Sequence, residues 1–383
     1  MQVLPIASGK GGVGKSLFAT NIAIALAQAG KKVILADLDL GASNLHLILG
    51  SGSVKDGIGS FLYNTELNFE DIVFDTEYNN LKFIPGDGEI PGMANLNKTQ
   101  KTKLVRELFK QEADYLILDL GAGTNFNTID FFLSSSIGIV VTAPALTATL
   151  NAYLFLKNVV FRLMSTSFKK NSWAGKHFEG LKQEGKSFQK VYIPKLIEKI
   201  KLEDPKSYNS FMKKMSAFRP MLVMNMLEDP KDSQKAVKIR RSCKEYLGVT
   251  LEHLGIIYFD HLQQIALNSR LPIIAYKPNS VLSQAIYRIA DKILEKGKEI
   301  NSPQDISSLD DSYNTASMEA EIDYDSKVEA MENLLHSGTL TEGDLVETIR
   351  SQQYEINSLK KENYFLKSQI VQFSEGNQKG QVF

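Results

Sequence analysis

Cysteine is almost absent from this chain of 383 residues: Cys243 is the single one. That excludes a disulfide scaffold, a four-thiolate zinc site and a chain-borne iron–sulfur cluster. Cys243 itself reads as a small buried apolar residue rather than a nucleophile. No apolar run approaches the roughly 18 residues of a membrane-spanning helix. The opening MQVLPIASGKGG lacks the charged-then-apolar layout of a secretory signal and leads straight into what reads as structure. The five histidines make no HExxH or paired-ligand spacing, so no zinc site is expected. Net charge is missing as well, with 44 Lys and Arg against 44 Asp and Glu. What is present in quantity is apolar residues, 43% of the chain, enough for a substantial core.

The zero net charge conceals an asymmetry. From Ser165 to Arg219 there are 13 Lys or Arg against 5 Asp or Glu; from Ile300 onward there are 6 against 15. Blocks of this kind are solvated faces, tails or docking surfaces, and the two could attract each other.

Strand and helix signals alternate over the first 150 residues. Gln2–Ala7, Lys32–Ala36, Tyr115–Leu118 and Ile137–Thr142 are short continuous apolar runs, the pattern of strands in a parallel sheet covered on both faces. Ser16–Ala29 has helical periodicity. Pro5 removes a ladder donor and is awkward in a central strand; the strand is retained with a local defect. The pattern resumes at Met221–Met224, Gly255–Tyr258 and Pro272–Ala275, followed by a helix over Leu282–Glu295. The expected fold is an α/β doubly wound, mostly parallel sheet. Residues 1–295 form one domain, with the basic stretch of about 165–219 as an insertion carrying Trp173 and a helix at Ile193–Lys201.

After Lys296 the composition turns to Ser, Asp and Asn, which predicts an acidic linker over 296–324 and a helical tail over 325–383. A helix is expected at Asp325–Leu335, and a second opens at Thr341-Glu-Gly-Asp344. Its Leu345, Ile349, Gln352, Ile356, Leu359, Asn363, Leu366 and Ile370 are spaced four and three alternately, the seam of a coiled coil over 345–371. Four heptads are few, and a helix packed on its own domain fits the same spacing.

The chemistry concentrates in a GxxxxGK[ST] pattern between an expected strand and an expected helix: Gly9, Lys10, Gly11, Gly12, Val13, Gly14, Lys15 and Ser16. Glycines allow consecutive backbone N–H groups to curl round phosphate oxygens, and the helix N-terminus adds positive potential. All eight residues are candidates for holding a nucleotide. Lys15 would reach the β and γ phosphates, and the Ser16 hydroxyl would ligate Mg²⁺. Carboxylates follow at strand ends, where a parallel sheet faces its ligand crevice: Asp37 and Asp39 in ADLD, and Asp119 in YLILD.

Lys10 is a second lysine inside the loop, and KGGVGKS resembles the deviant Walker A motif of the ParA/MinD family of P-loop NTPases (SIMIBI type). The resemblance covers about residues 1–164 and 220–295. It implies a Mg²⁺-dependent ATPase that closes as a nucleotide-sandwich homodimer, with Lys10 touching the partner's phosphates. It further implies that Asp39 orients the attacking water, that Asp37 supports the Mg²⁺ shell, that Asp119 is the Walker B acid and that Asn225 contacts adenine. Asn97-Lys-Thr-Gln100 superficially matches the guanine-reading NKxD but lacks its aspartate and precedes Asp119, so ATP is favoured. Asp119-Leu-Gly-Ala-Gly-Thr124 and Val140–Thr147 with Asn151-Ala-Tyr153 look more like the flagellar-number regulators (FlhG/FleN) than the cell-division members. Ala145 and Asn151 depart from the residues usual at those places.

The resemblance therefore implies a spatial regulator of flagellar number or placement, or of division-site position. Its expected partners are a second copy of the chain and a regulatory protein such as a flagellar GTPase or polar landmark. It would act in the cytoplasm, peripheral to the inner membrane or at a pole, although the basic amphipathic membrane helix of MinD-type proteins is not visible. The alternative is a ParA-type segregation ATPase whose basic insertion binds DNA without sequence preference.

Overall fold

The computed structural model describes residues 1–50, 56–86, 96–184, 191–298 and 306–336, with isolated positions between 343 and 357. Eight strands form one sheet: β1 (Gln2–Ala7), β2 (Val33–Leu38), β3 (Phe74–Asp75), β4 (Leu81–Ile84), β5 (Tyr115–Leu120), β6 (Ile139–Thr142), β7 (Met221–Leu227) and β8 (Glu252–Tyr258). Their order is β3-β4-β2-β5-β1-β6-β7-β8. All pairings are parallel except β3 with β4. The early strands extend the sheet on one side of β1 and the later ones on the other, so the crevice at the carboxyl end of β1 lies at the switch of winding direction.

Alternation along each strand explains why the runs read as uniformly apolar. Val33 and Leu35 belong to one core cluster, while Ile34, Ala36 and Leu38 belong to the other, across the sheet. Both faces are covered, so the strand interiors are apolar, and the buried Asp37 and Asp119 stand near the carboxyl ends of β2 and β5. On one face lie α1 (Lys15–Gln28) and the long α10 defined below; α1 contributes Phe18, Ile22 and Leu26 to that core. On the other face lie α2 (Lys98–Lys110), α3 (Phe126–Phe132) and α4 (Leu146–Ser167).

Pro5 is tolerated inside β1 because it pairs in register with Leu118 of β5, whereas the ladder to β6 begins one residue later at Ile6. The basic stretch forms α5 (Trp173–Gln183), α6 (Ile193–Glu203) and α7 (Pro205–Ala217). Phe178, Leu196, Ile200 and Phe211 from these helices join the same core as α4. Phe168 anchors them, with ring centroids 5.8 Å from Phe178 and 6.1 Å from Phe211.

Further along are α8 (Gln234–Ser242), α9 (Leu262–Asn268) and α10 (Val281–Lys298). Two expectations fail here. Pro272–Ala275 is not a strand: Ile273–Tyr276 is a single helical turn, fixed by the Asn21 side chain accepting from Ile274 N at 3.1 Å. Residues 296–324 are not a linker throughout, because α11 runs continuously over Ile306–His336. Tyr313, Ala316, Ala320 and Asp323 are buried on one stripe of it. Asp323 pairs with Arg288 and Glu319 with Lys292 of α10, and Tyr313 Oη donates to Leu251 O at 3.2 Å. The chain divides into compact units at Tyr324/Asp325. Most of the expected coiled coil over 345–371 lies outside the described residues; Ile349 and Ile356 are helical and exposed.

Candidate nucleotide-binding site

The loop Ser8–Gly14 joins the carboxyl end of β1 to α1, and its conformation follows from its glycines. Gly12 and Gly14 both take φ of 80°, in the left-handed region that costs an ordinary side chain about 1–2 kcal/mol. A Cβ on Gly9 would lie 2.1 Å from the Asn151 carbonyl oxygen, so α4 approaches the loop as closely as backbone allows. Gly11 differs from Gly9, Gly12 and Gly14. It is exposed, its φ is not in the left-handed region, and a Cβ on it would meet nothing within 4 Å. Neither packing nor backbone strain therefore requires glycine at Gly11; what remains for it is the open space over the loop, where a phosphate would approach the backbone. Val13, by contrast, is buried, and its side chain joins the core cluster that includes Phe18 of α1. Gly14 caps α1 with no side-chain hydrogen bond. The first N–H groups of the helix therefore point out of its end with no capping side chain, an anion-binding arrangement.

Lys15 is buried, and its Nζ lies 2.5 Å from Asp119 Oδ1 and 3.2 Å from Ser16 Oγ. Asp119 stands at the end of β5 in register with Asp37 of β2. Asp37 is buried too, accepting from Ser43 Oγ at 2.7 Å, Asp39 N at 3.0 Å and Leu45 N at 3.3 Å. Burial, and then the neighbouring Asp119 charge, push the Asp37 carboxyl up to about 7, against those hydrogen bonds. Burial also holds Asp119 above the usual carboxylate range, opposed by Lys15. Asp39 lies across Gly121, its Oδ1 3.1 Å from where a Cβ there would stand.

Two carboxylates crowded together at one strand edge, with a serine hydroxyl at hand, suit a hard divalent cation. Among the described residues no cluster of three or more His, Cys, Asp or Glu could enclose a metal by itself.

Lys10 is exposed and donates to Thr147 Oγ1 at 3.0 Å, at the start of α4. Asn225, near the end of β7, donates through Nδ2 to Val13 O at 2.9 Å and sits so close to Gly14 that a Cβ there would be 2.3 Å away. Thus the loop residues Gly9 to Ser16, Asp37, Asp39, Asp119 and Asn225 converge on one sheet edge. Asn97–Gln100 is elsewhere in chemistry: it is the capping box of α2, Asn97 and Gln100 each accepting from the other's N–H. Cys243 is buried, and burial pushes its thiol up to about 12, so it is inert.

Beside Asn225 a cleft of about 240 Å³ opens between α1, the ends of β7 and β8, and α9, lined among others by Leu17, Asn21, Met226, Tyr258 and Gln263. Met226 has φ of 60°, where the β7–β8 register slips between Met224 and Leu227. Sequence reasoning missed Ser8 and Thr142, whose buried hydroxyls have no partner at the same edge. Their position, one residue past β1 and at the last residue of β6, is the signal that marks them. Gln263 and Tyr258 carried no signal at all.

The description "CobQ/CobB/MinD/ParA nucleotide binding domain" matches residues 4–260. The septum site-determining protein MinD of Helicobacter pylori is 33% identical over 144 residues, 37% of this chain and 53% of that protein. The flagellum site-determining protein YlxH of the same organism is 32% identical over 161 residues, 41% of this chain and 53% of that one. The matched stretch thus spans about half the length of these relatives. The antiactivator FleN of Pseudomonas aeruginosa is 22% identical over 296 residues, 76% of this chain and 86% of that one. Among solved structures, MinD of Pyrococcus horikoshii complexed with Mg-ADP superposes with a TM-score of 0.52 at 19% identity, covering 79% of this chain and 99% of that one. A ParA family ATPase of Chlorobium tepidum gives 0.52 at 20% identity, covering 76% and 97%. The fold, the loop and the extent of the match agree: the chain belongs to the CobQ/CobB/MinD/ParA nucleotide-binding family.

Proposed function

We propose that the protein is a Mg²⁺-dependent ATPase that switches by ATP-driven dimerisation and serves as a spatial regulator, of flagellar number or placement or of the division site. The observation that carries this reading is the convergence of Lys15, Ser16, Asp37, Asp39 and Asp119 on the crevice, with Lys10 left on its exposed rim. The loop amides from Gly11 to Lys15 and the start of α1 would hold the phosphates, and Lys15 would exchange Asp119 for phosphate oxygen. Ser16, Asp37 and Asp119 would hold Mg²⁺, which when bound neutralises charge on the transferring phosphoryl group. Asp39, half-exposed over Gly121, would orient the attacking water. Transfer to water needs mainly positioning and charge neutralisation, so no nucleophilic triad is required.

Asn225 supports adenine. Its Nδ2 is committed to Val13 O, so Oδ1 remains an acceptor, matched to an exocyclic amine and not to a carbonyl oxygen. Lys10 on the rim is free to leave Thr147 for a second copy of the chain. The relatives named for septum and flagellum site determination and for antiactivation support the regulatory role. Among the described residues no helix is long and apolar enough to cross a membrane.

The test is the mass of the Asp39→Ala protein by light scattering. With Mg-ATP it should be a dimer, with Mg-ADP a monomer, and Lys10→Ala should remove the dimer. A mass indifferent to nucleotide contradicts the switch.

The second reading is DNA segregation. Lys169, Lys170, Lys213 and Lys214 are exposed, and Lys214 Nζ donates to Thr166 O at 3.0 Å, three residues before Lys169. DNA binding that collapses with salt and with charge reversal of these lysines would favour it.

A further inference from the structure

Two polar atoms on the cleft beside Asn225 are buried with no hydrogen-bond partner: Gln263 Nε2 and Tyr258 Oη. Leaving such a donor unmade costs about 1–3 kcal/mol. Gln263 stands on α9, where its neighbours Gln264 and Ile265 are exposed, so water is close by. Gln263 nonetheless lines the cleft, with its amide nitrogen enclosed just behind the wall and unpaired. The rest of the wall is largely apolar, with Leu17, Leu267, Leu282 and Ile286. Asp260, on the same wall, is engaged in capping α9, accepting from Leu262 N at 2.9 Å.

An apolar slot with a few convergent polar groups is how proteins hold a flat heteroaromatic ring. Asn225 offers it an acceptor and Gln263 a donor. Adenine carries the matching pair, an exocyclic amine and ring nitrogens with free lone pairs. A guanine would turn its carbonyl oxygen toward the Asn225 acceptor.

We propose that Gln263 is a second base-reading side chain, its Nε2 donating to a ring nitrogen of adenine seated in the cleft. The inference rests on the ATP reading of the site and adds to it the residue that completes base selection. Asn225 selects the amine; Gln263 selects the ring acceptor and contributes affinity.

The test uses the full chain and titrates Mg-ADP and its 1-deaza, 3-deaza and 7-deaza analogues by calorimetry. The wild-type protein should bind one analogue more weakly than ADP by about three- to tenfold, the worth of one neutral hydrogen bond. Gln263→Leu should bind ADP more weakly by the same factor and no longer distinguish that analogue. Gln263→Glu keeps the side-chain length but puts an acceptor where the donor was, and should bind ADP more weakly than Gln263→Leu. Full ADP affinity in Gln263→Leu, or a deaza penalty that survives in it, overturns the inference and leaves the nucleotide site standing. A wild-type chain that binds no Mg-ADP removes the ATP reading and this inference together.

Discussion

Lys15 and Asp119 form a buried ion pair, 2.5 Å from Nζ to Oδ1, in the crevice where a triphosphate would lie. The two residues come from the start of α1 and the end of β5, so the pair ties the phosphate loop to the sheet. Removing one partner strands the other in a low-dielectric site, whereas removing both does not. Lys15→Met should therefore cost about 3 kcal/mol in urea unfolding, and Lys15→Met with Asp119→Asn should recover most of it. Additive losses in the double variant would contradict the coupling.

Asp39 is held apart from this pair, half-exposed and facing Gly121. Asp39→Ala should leave Mg-ATP affinity within about twofold while lowering steady-state phosphate release about 100-fold or more. An equal loss of binding and turnover would assign Asp39 to the metal rather than to water.

Gly14 is constrained twice, by φ of 80° and by Asn225 at 2.3 Å from any added Cβ. Gly14→Ala should lose at least about 1 kcal/mol of stability from backbone strain alone. It should also displace Asn225 from Val13 O and abolish ADP binding in calorimetry. Gly11 is the internal control: with open space and no left-handed φ, Gly11→Ala should leave urea unfolding unchanged, and an equal loss of stability in both variants would contradict this reading of the loop.

His253 predicts a pH dependence far from the nucleotide. It is buried on β8, its ring 4.8 Å from Tyr313 of α11, with Lys292 of α10 nearby and Arg240 of α8 over the other ring. Glu252, paired with Lys296, precedes it on its own strand, and Glu319 on α11 pairs with Lys292. Burial and then Lys292 push the His253 imidazole down to about 3. The folded chain keeps it neutral while the unfolded chain protonates it near 6.5, so its contribution to stability is intact above that value and declines as pH falls toward 3. Between pH 7 and pH 5 the wild-type protein should lose about 2 kcal/mol more than His253→Phe in urea titrations. Parallel pH profiles for the two would contradict a neutral buried imidazole.

The same contact sets where the domain can be cut. Tyr313 is buried between His253 and Arg240, and Tyr313→Ala should cost about 3 kcal/mol. A chain ending at Lys298 should melt well below one ending at Tyr324. Equal melting temperatures would mean that residues 306–324 contribute nothing to the domain.

Much of this was legible before the fold was known, because the decisive features are local. A glycine-rich loop between an apolar run and a helix declares its backbone, and acids at the ends of buried strands declare the crevice. Which glycine does what is less legible: Gly9 is fixed by the Asn151 carbonyl, from far along the chain, while Gly11 has no such neighbour. The misreadings have physical causes. Pro272–Ala275 is four residues long, too short for periodicity to separate a strand from a buried helical turn. The stretch 296–324 is rich in Ser and Asp, and its buried stripe is Tyr313, Ala316, Ala320 and Asp323, mostly small or charged residues that do not look like a core face. Asp323 is buried only because Arg288, 35 residues earlier, meets it. Gln263 was invisible for a similar reason: its significance is an orphaned amide, a property of three-dimensional surroundings and not of any motif.

The central claim is that the loop from Gly9 to Ser16 binds and hydrolyses Mg-ATP. The most direct measurement is phosphate release by the purified chain under single-turnover conditions, beside the Lys15→Ala variant. Release by the wild type that depends on Mg²⁺ and vanishes in Lys15→Ala is the expected result; no release from either, or equal release from both, contradicts it.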